Sequence, residues 1–125
     1  HVLRSSYSHS SKDVGYSLAS EYFSRRNRET AILCATDLLA IGVMQAASEA
    51  GLRIPKDISL MGFDNISFSA LPQIDLTTIN QPTQQMAIAA VDMLLDHVND
   101  PGTEHTKFIV PPSLVVRKSC RPPKK

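Results

Sequence analysis

Ala31-Ile32-Leu33-Cys34-Ala35-Thr36-Asp37 and, after a helix-like run, Ile58-Ser59-Leu60-Met61-Gly62-Phe63-Asp64-Asn65 decide the fold of this chain. Each holds a short apolar run, as expected of a buried strand, and for Ala31 to Ala35 of one covered on both faces. Each run leads into an aspartate. Asp37 is the expected N-cap of a helix from Leu38 to Ala50, and Gly51 stands where a helix places its C′ glycine. Pro55 then breaks the chain before the second strand. Strands alternating with helices predict an α/β fold, a mainly parallel sheet with helices on both faces.

Outward from this stretch the pattern continues. Upstream, Ser10-Ser11-Lys12-Asp13 puts hydroxyl caps ahead of Val14, Leu18 and Tyr22, with Ala19 and Phe23 on the adjoining face. That spacing predicts an amphipathic helix from about Lys12 to about Arg26. Downstream, Leu76 to Asn80 is rich in β-branched residues and reads as a third strand. Pro82 suits the first turn of a long helix carrying Met86, Ala90, Leu94 and Val98, which Asn99-Asp100-Pro101-Gly102 ends. Lys107 to Val110 and Leu114 to Val116 are the last expected strands, parted by Pro111-Pro112.

The chain has 125 residues, 13 Lys plus Arg against 12 Asp plus Glu, and a net charge of +1. With 42% hydrophobic and 20% charged residues it reads as one ordinary folded domain. Near-neutral charge gives no footprint for a phosphate backbone, so these residues alone are not expected to bind nucleic acid. The basic cluster from Arg117-Lys118 to Lys124-Lys125 is expected to be a solvated end. No apolar run reaches the ~20 residues of a membrane span, so no membrane partner is expected. The chain begins at His1, which leaves room for a leader or an upstream domain. Cys34 and Cys120 form no C-x-x-C pair, which favours a reducing, cytoplasmic setting.

In open α/β sheets, ligands sit outside the carboxyl ends of the strands, where Asp37 and Asp64 both fall. Asp37 has two readings, helix cap or ligand contact. No long helix follows Asp64, which favours a ligand role. A carboxylate with Phe63 as an apolar wall suits neutral polyols, whose paired hydroxyls donate to one carboxylate. No nucleophile and base, catalytic carboxylate pair, phosphate loop or H-E-x-x-H is visible, so neither an enzyme, a cofactor nor a metal is expected. His1, His9, His97 and His105 lack ligand spacing, and Ser5, Ser6, Ser8, Ser10 and Ser11 look like a loop and cap. Leu38, Leu39, Ile41, Val43 and Met44 wrap most of the second helix, which therefore needs two covers, either its own core or the sheet and a partner subunit.

Three segments together carry a family pattern: Thr36-Asp37-Leu38-Leu39-Ala40-Ile41-Gly42, the run from Gly51 to Asn65, and Leu76-Thr77-Thr78-Ile79-Asn80-Gln81-Pro82. In this order and spacing they resemble the lac repressor and galactose repressor family, as does the ending Pro112-Ser113-Leu114-Val115-Val116-Arg117-Lys118-Ser119. The likeness runs from Gly15 to Ser119 and corresponds to the C-terminal part of a repressor. The resemblance implies a lobe of a two-lobed, periplasmic-binding-protein-like effector domain, with operator DNA bound only through an N-terminal helix-turn-helix outside these residues. It divides the chain into C-terminal-lobe material over 1–78, a crossover and helix over 79–98 that would pack on the other lobe, return strands over 99–119 and a tail over 120–125.

Carried over by position, Asp64 matches the family's sugar-binding aspartate and Phe63 the aromatic beside it. Thr36 stands where many members have an effector-binding Asn, with Asp37 next to it. Ser10 takes the place of a stacking aromatic, and Gln81 sits at the crossover. The helix beginning at Leu38 corresponds to the dimer-forming helix, which implies a homodimer through Leu38, Ile41, Met44 and Gln45. Two functions stay open: effector binding, with a sugar or related small polar molecule, in a transcriptional regulator, or part of a solute-binding protein of a sugar transporter. The Ile54-Pro55-Lys56-Asp57-Ile58-Ser59 linker and the Leu114 to Ser119 ending favour the regulator.

Overall fold

Ser11 opens the first helix from an extended backbone, and its Oγ accepts the Val14 N–H at 3.3 Å. In the computed structural model, which describes residues 11–25, 29–102 and 107–123, this helix, α1, spans Lys12–Phe23. It stops short of the expected Arg26. Arg25 N–H bonds back to the Tyr22 carbonyl in a tightened turn, and the Ser24 hydroxyl donates to Glu21 O at 2.7 Å. Then follow β1 Ala31–Leu33, α2 Asp37–Glu49, β2 Ser59–Asp64, a short 3-10 helix Ser67–Ala70, β3 Thr77–Asn80, α3 Thr83–Asn99 and β4 Ser113–Val115. The sheet order is β1-β2-β3-β4. β1, β2 and β3 are parallel, with Leu33 opposite Met61 and Asp64 opposite Asn80. The chain divides into two compact units, 1–80 with 114–125, and 81–113.

In the first unit, α2 ends as its sequence dictates. Gly51 adopts φ 70°, its N–H reaches Ser48 O, and Leu52 N–H reaches Ala47 O, so two otherwise orphaned carbonyls are satisfied. Helices α1 and α2 touch backbone to backbone because glycine occupies both sides of the crossing. A Cβ on Gly15 would overlap the Leu39 carbonyl, and one on Gly42 would overlap the Lys12 carbonyl. The core forms from Ala19, Tyr22 and Phe23 of α1, Ala40, Val43, Ala46 and Ala47 of α2, and Ile58, Leu60 and Leu76. The core covers Ala40, Val43, Ala46 and Ala47 of α2, with Leu39 and Met44 packed against it, and leaves Leu38 exposed and Ile41 half-buried.

Three expectations are corrected here. Among the described residues β1 is an edge strand, and Leu33 is 72% exposed; a continuous apolar run does not reveal whether both faces are covered. Lys107 to Val110 forms no strand, its described residues being exposed or half-buried with no sheet partner. The segment after β4 is fastened to the sheet through Arg121, although the Lys118 side chain is solvated as expected. Ser119 Oγ donates to Leu60 O at 2.6 Å and accepts the Thr77 N–H at 2.8 Å, and Arg121 N–H donates to Ser59 Oγ at 3.2 Å.

The second unit is dominated by α3. Pro82 takes the N-cap position rather than the first turn, and its carbonyl accepts the Met86 N–H at 3.0 Å. None of the helix is buried within its unit: Ile88, Val91, Leu94, Leu95 and Val98 are all more than half exposed.

Candidate functional site at the carboxyl end of the sheet

Thr36, not Asp37, caps α2. Its extended backbone lets Oγ1 accept the Leu39 N–H at 3.3 Å, so the expected capping role of Asp37 is corrected. Asp37 is the first helical residue and is fully buried, at 0% exposure. Its Oδ2 accepts the Ile66 N–H at 3.0 Å and the Ser69 hydroxyl at 2.5 Å, while Oδ1 accepts the Thr78 hydroxyl at 2.5 Å. Gly62 makes room for it, since a Cβ there would overlap Oδ1. A carboxylate so enclosed is not open to a ligand, which corrects the ligand-contact reading of Asp37 as well.

Asp64 has the opposite environment. It ends β2 half-buried with φ 113°, and Asn65 follows at φ 57°. Two consecutive non-glycine residues with positive φ cost roughly 1 to 3 kcal/mol each and persist only where neighbours fix them. Those neighbours are polar. Asn65 Nδ2 donates to Asn80 Oδ1 at 2.9 Å, and Arg117 Nη2 donates to Asn65 Oδ1 at 2.8 Å. Arg117 is itself held by Leu76 O, through Nη1 at 2.7 Å, and by paired backbone bonds with Thr77 Oγ1. The carboxyl end of the sheet therefore presents a carboxylate beside a fixed row of amide groups.

The other expected contacts are dispersed. Phe63 is half-buried, and strand alternation sets it on the Met61 face of β2, opposite Leu60 and Gly62. Thr36 is half-buried with its hydroxyl oxygen engaged in the cap. Gln81 opens the second unit, where its carbonyl accepts the Thr83 N–H at 2.8 Å. Ser10 lies outside the described residues. Of the expected dimer contacts, Leu38 is 43% exposed, Gln45 is exposed and Ile41 is half-buried, whereas Met44 packs partly against the core. The sequence reading missed Phe68 at 58% and Leu71 at 43% exposure, the first within the 3-10 turn that Asp37 grips and the second just after it. It also missed Asn80 and Arg117; an arginine ending the apolar run Leu114 to Val116 was the available signal.

Burial, with the Asp37 charge nearby, pushes the Cys34 thiol up to about 12, so it is an inert core group. Among the described residues, no group of three His, Cys, Asp or Glu could hold a metal ion, and no helix is long and apolar enough to cross a membrane. A groove of about 620 Å³ opens at the other end of the sheet, lined in part by Leu52, Ile54, Pro72 and Ile74, and touches none of the expected ligand contacts.

Residues 4–120 match a family described as a periplasmic binding protein-like domain. The chain belongs to this periplasmic binding protein-like family. Among curated relatives, the HTH-type transcriptional repressor PurR of Klebsiella pneumoniae is 41% identical over 107 residues, 86% of this chain and 31% of the relative. That of Photobacterium profundum is 37% identical over 103 residues, 82% and 31%. The chain thus spans about a third of the length of the curated relatives it matches. Among solved structures, a LacI-family regulator from Enterococcus faecalis with bound ribose superposes with TM-score 0.86 at 31% identity, covering 93% of this chain and 43% of that one. A dimeric lac repressor with an 11-residue C-terminal deletion gives 0.80 at 33% identity, covering 88% and 40%. The periplasmic binding protein-like domain described here is of the type that LacI-family regulators carry, and its α/β sheet is that fold.

Proposed function

We propose that this periplasmic binding protein-like domain binds a small neutral polyol, of the sugar class, as the effector of a cytoplasmic LacI-family transcriptional regulator, and self-associates through α2. Asp64 carries the reading. It ends a central strand in a strained backbone braced by Asn65, Asn80 and Arg117, and strain of this kind collects at ligand sites. A carboxylate accepts hydrogen bonds from two neighbouring hydroxyls, each a charge-assisted contact of about 1.5 to 3 kcal/mol. The E. faecalis relative holds ribose, and a Lactobacillus casei relative at TM-score 0.77 and 29% identity holds sucrose. Both support a sugar-like ligand.

The repressor names of the curated relatives favour a regulator over a solute-binding protein feeding a transporter. In this reading operator DNA is met only by an N-terminal helix-turn-helix, and the open stripe on α3 packs on the rest of the regulator. The second copy meets Leu38, Ile41 and Gln45 of α2, extended by Phe68 and Leu71. Titration calorimetry of the complete regulator with ribose, sucrose and a panel of neutral sugars tests the ligand class. Saturable binding of at least one is expected, and failure of every member contradicts the reading. A signal peptide encoded upstream of His1 would instead select the transporter component.

A further inference from the structure

Asp37 is fully buried, yet its carboxylate is not needed to cap α2, because Thr36 already does so. Burying a charged group is costly unless each of its lone pairs is used. Here they are used to join separate elements. Thr78 lies on β3, whereas Ile66 and Ser69 belong to the segment that links Asp64 to Leu71. Asn65 at its head is tied to Asn80 and Arg117, whereas the backbone bonds of the rest are short-range: Ser69 N–H to Ile66 O, Leu71 N–H to Phe68 O, and Leu76 N–H to Ser69 O. Asp37 supplies the long-range side-chain anchor of 66–71. Gly62 is part of the same arrangement, since any side chain there would displace the carboxylate.

We propose that Asp37 is a positioning residue that locks the 64–71 segment and so sets both the Asp64 carboxylate and the exposed apolar pair Phe68 and Leu71. Asp37 is also the first residue of α2, so the ligand contact and the self-association surface share one buried anchor. Binding at either then biases the other, reciprocally. This inference rests on the reading of Asp64 and α2 given above.

Amide hydrogen exchange of the chain, resolved by residue, separates a lock from a mere contribution to stability. Asp37→Ala leaves the Ile66 N–H without an acceptor. Exchange at Ile66, Ser69 and Leu71 should rise at least tenfold relative to Leu60, whose N–H is bonded to Ser119 O in the core. Asp37→Asn keeps one oxygen to accept from both Ile66 and Ser69, and the Thr78 hydroxyl can turn to accept from the new amide N–H, so its local acceleration should be clearly smaller. Equal acceleration at Ile66 and Leu60, or no difference between Asp37→Asn and Asp37→Ala, overturns the proposal. Should Asp37→Ala fail to fold, Ser69→Ala removes one arm of the grip, with acceleration confined to residues 66–71 as the expected result and none as the contrary one. Sedimentation of the same variants reads the second surface, where Asp37→Ala should weaken self-association with Leu38 and Ile41 untouched. A monomeric wild-type chain would sink the self-association reading alone, and the exchange ratio would still decide the role of Asp37.

Discussion

Asp37 and Asp64 follow apolar strands in nearly the same sequence setting, and the structure gives them opposite environments. Both are acids after a strand, which is why the sequence reading paired them. What separates them is local. Thr36 is a competent cap, so Asp37 moves one position into the helix and turns inward toward Gly62, Ser69 and Thr78. Asp64 is followed only by the short 3-10 helix Ser67–Ala70 and sits at φ 113° at the strand end. Cys34 offers a test at this scale. In the fold its thiol is held to about 12 by burial and by Asp37, against an ordinary value of 9.0. The unfolded chain therefore releases that proton first, and stability falls as pH rises from 9.0 toward about 12. Each pH unit in that window costs about 1.4 kcal/mol through this group. Urea melts of wild type and Cys34→Ala at pH 8 and pH 10 should show the stability gap narrowing at the higher pH. A gap independent of pH would mean that Cys34 is more accessible than its position shows.

The helices were legible because they carry their own end signals: Ser11 at the start of α1, Gly51 after α2 and Asp100 after α3. Parallel β2 and β3 were equally legible from their apolar and β-branched runs. The exposure of Leu33 on β1 was not, because Ala31 to Leu33 has the composition of a covered strand whether or not a second layer lies over Leu33. The α1 and α2 crossing was not foreseen either, since Gly15 and Gly42 lie 27 positions apart and glycine in a helix is locally unfavourable. Helix propensity alone predicts that Gly42→Ala stabilises by about 1 kcal/mol. The crossing predicts the reverse. A Cβ at Gly42 would meet the Lys12 carbonyl and lie 2.6 Å from Tyr16 N, both backbone atoms that cannot rotate away. Gly42→Ala should destabilise by about 1 to 3 kcal/mol, as overpacking does. A stability equal to or above wild type in chemical denaturation would refute that close contact.

For the whole molecule, the sequence carried the family, because its motifs in order span the sheet and the linker; it did not carry the exposed apolar pair Phe68 and Leu71. Phe68 and Leu71 look like core residues in a one-dimensional reading, yet both lie exposed on the turn that Asp37 holds through Ile66 and Ser69. Ile41→Asp should shift the sedimenting mass toward monomer while the melt stays cooperative, since the residue is half-buried on α2 rather than inside the core. A wild-type chain that sediments as a compact monomer at high concentration would rule that surface out. The ligand role of Asp64 is the central claim, and calorimetry of the complete regulator with a sugar it binds, comparing Asp64→Ala with Asp37→Asn, tests it most directly. Asp64→Ala should weaken binding at least tenfold while the melt stays cooperative, whereas Asp37→Asn should lower stability more than affinity. Unchanged sugar affinity in Asp64→Ala, with a lowered melting temperature, would contradict the assignment and make Asp64 a structural residue.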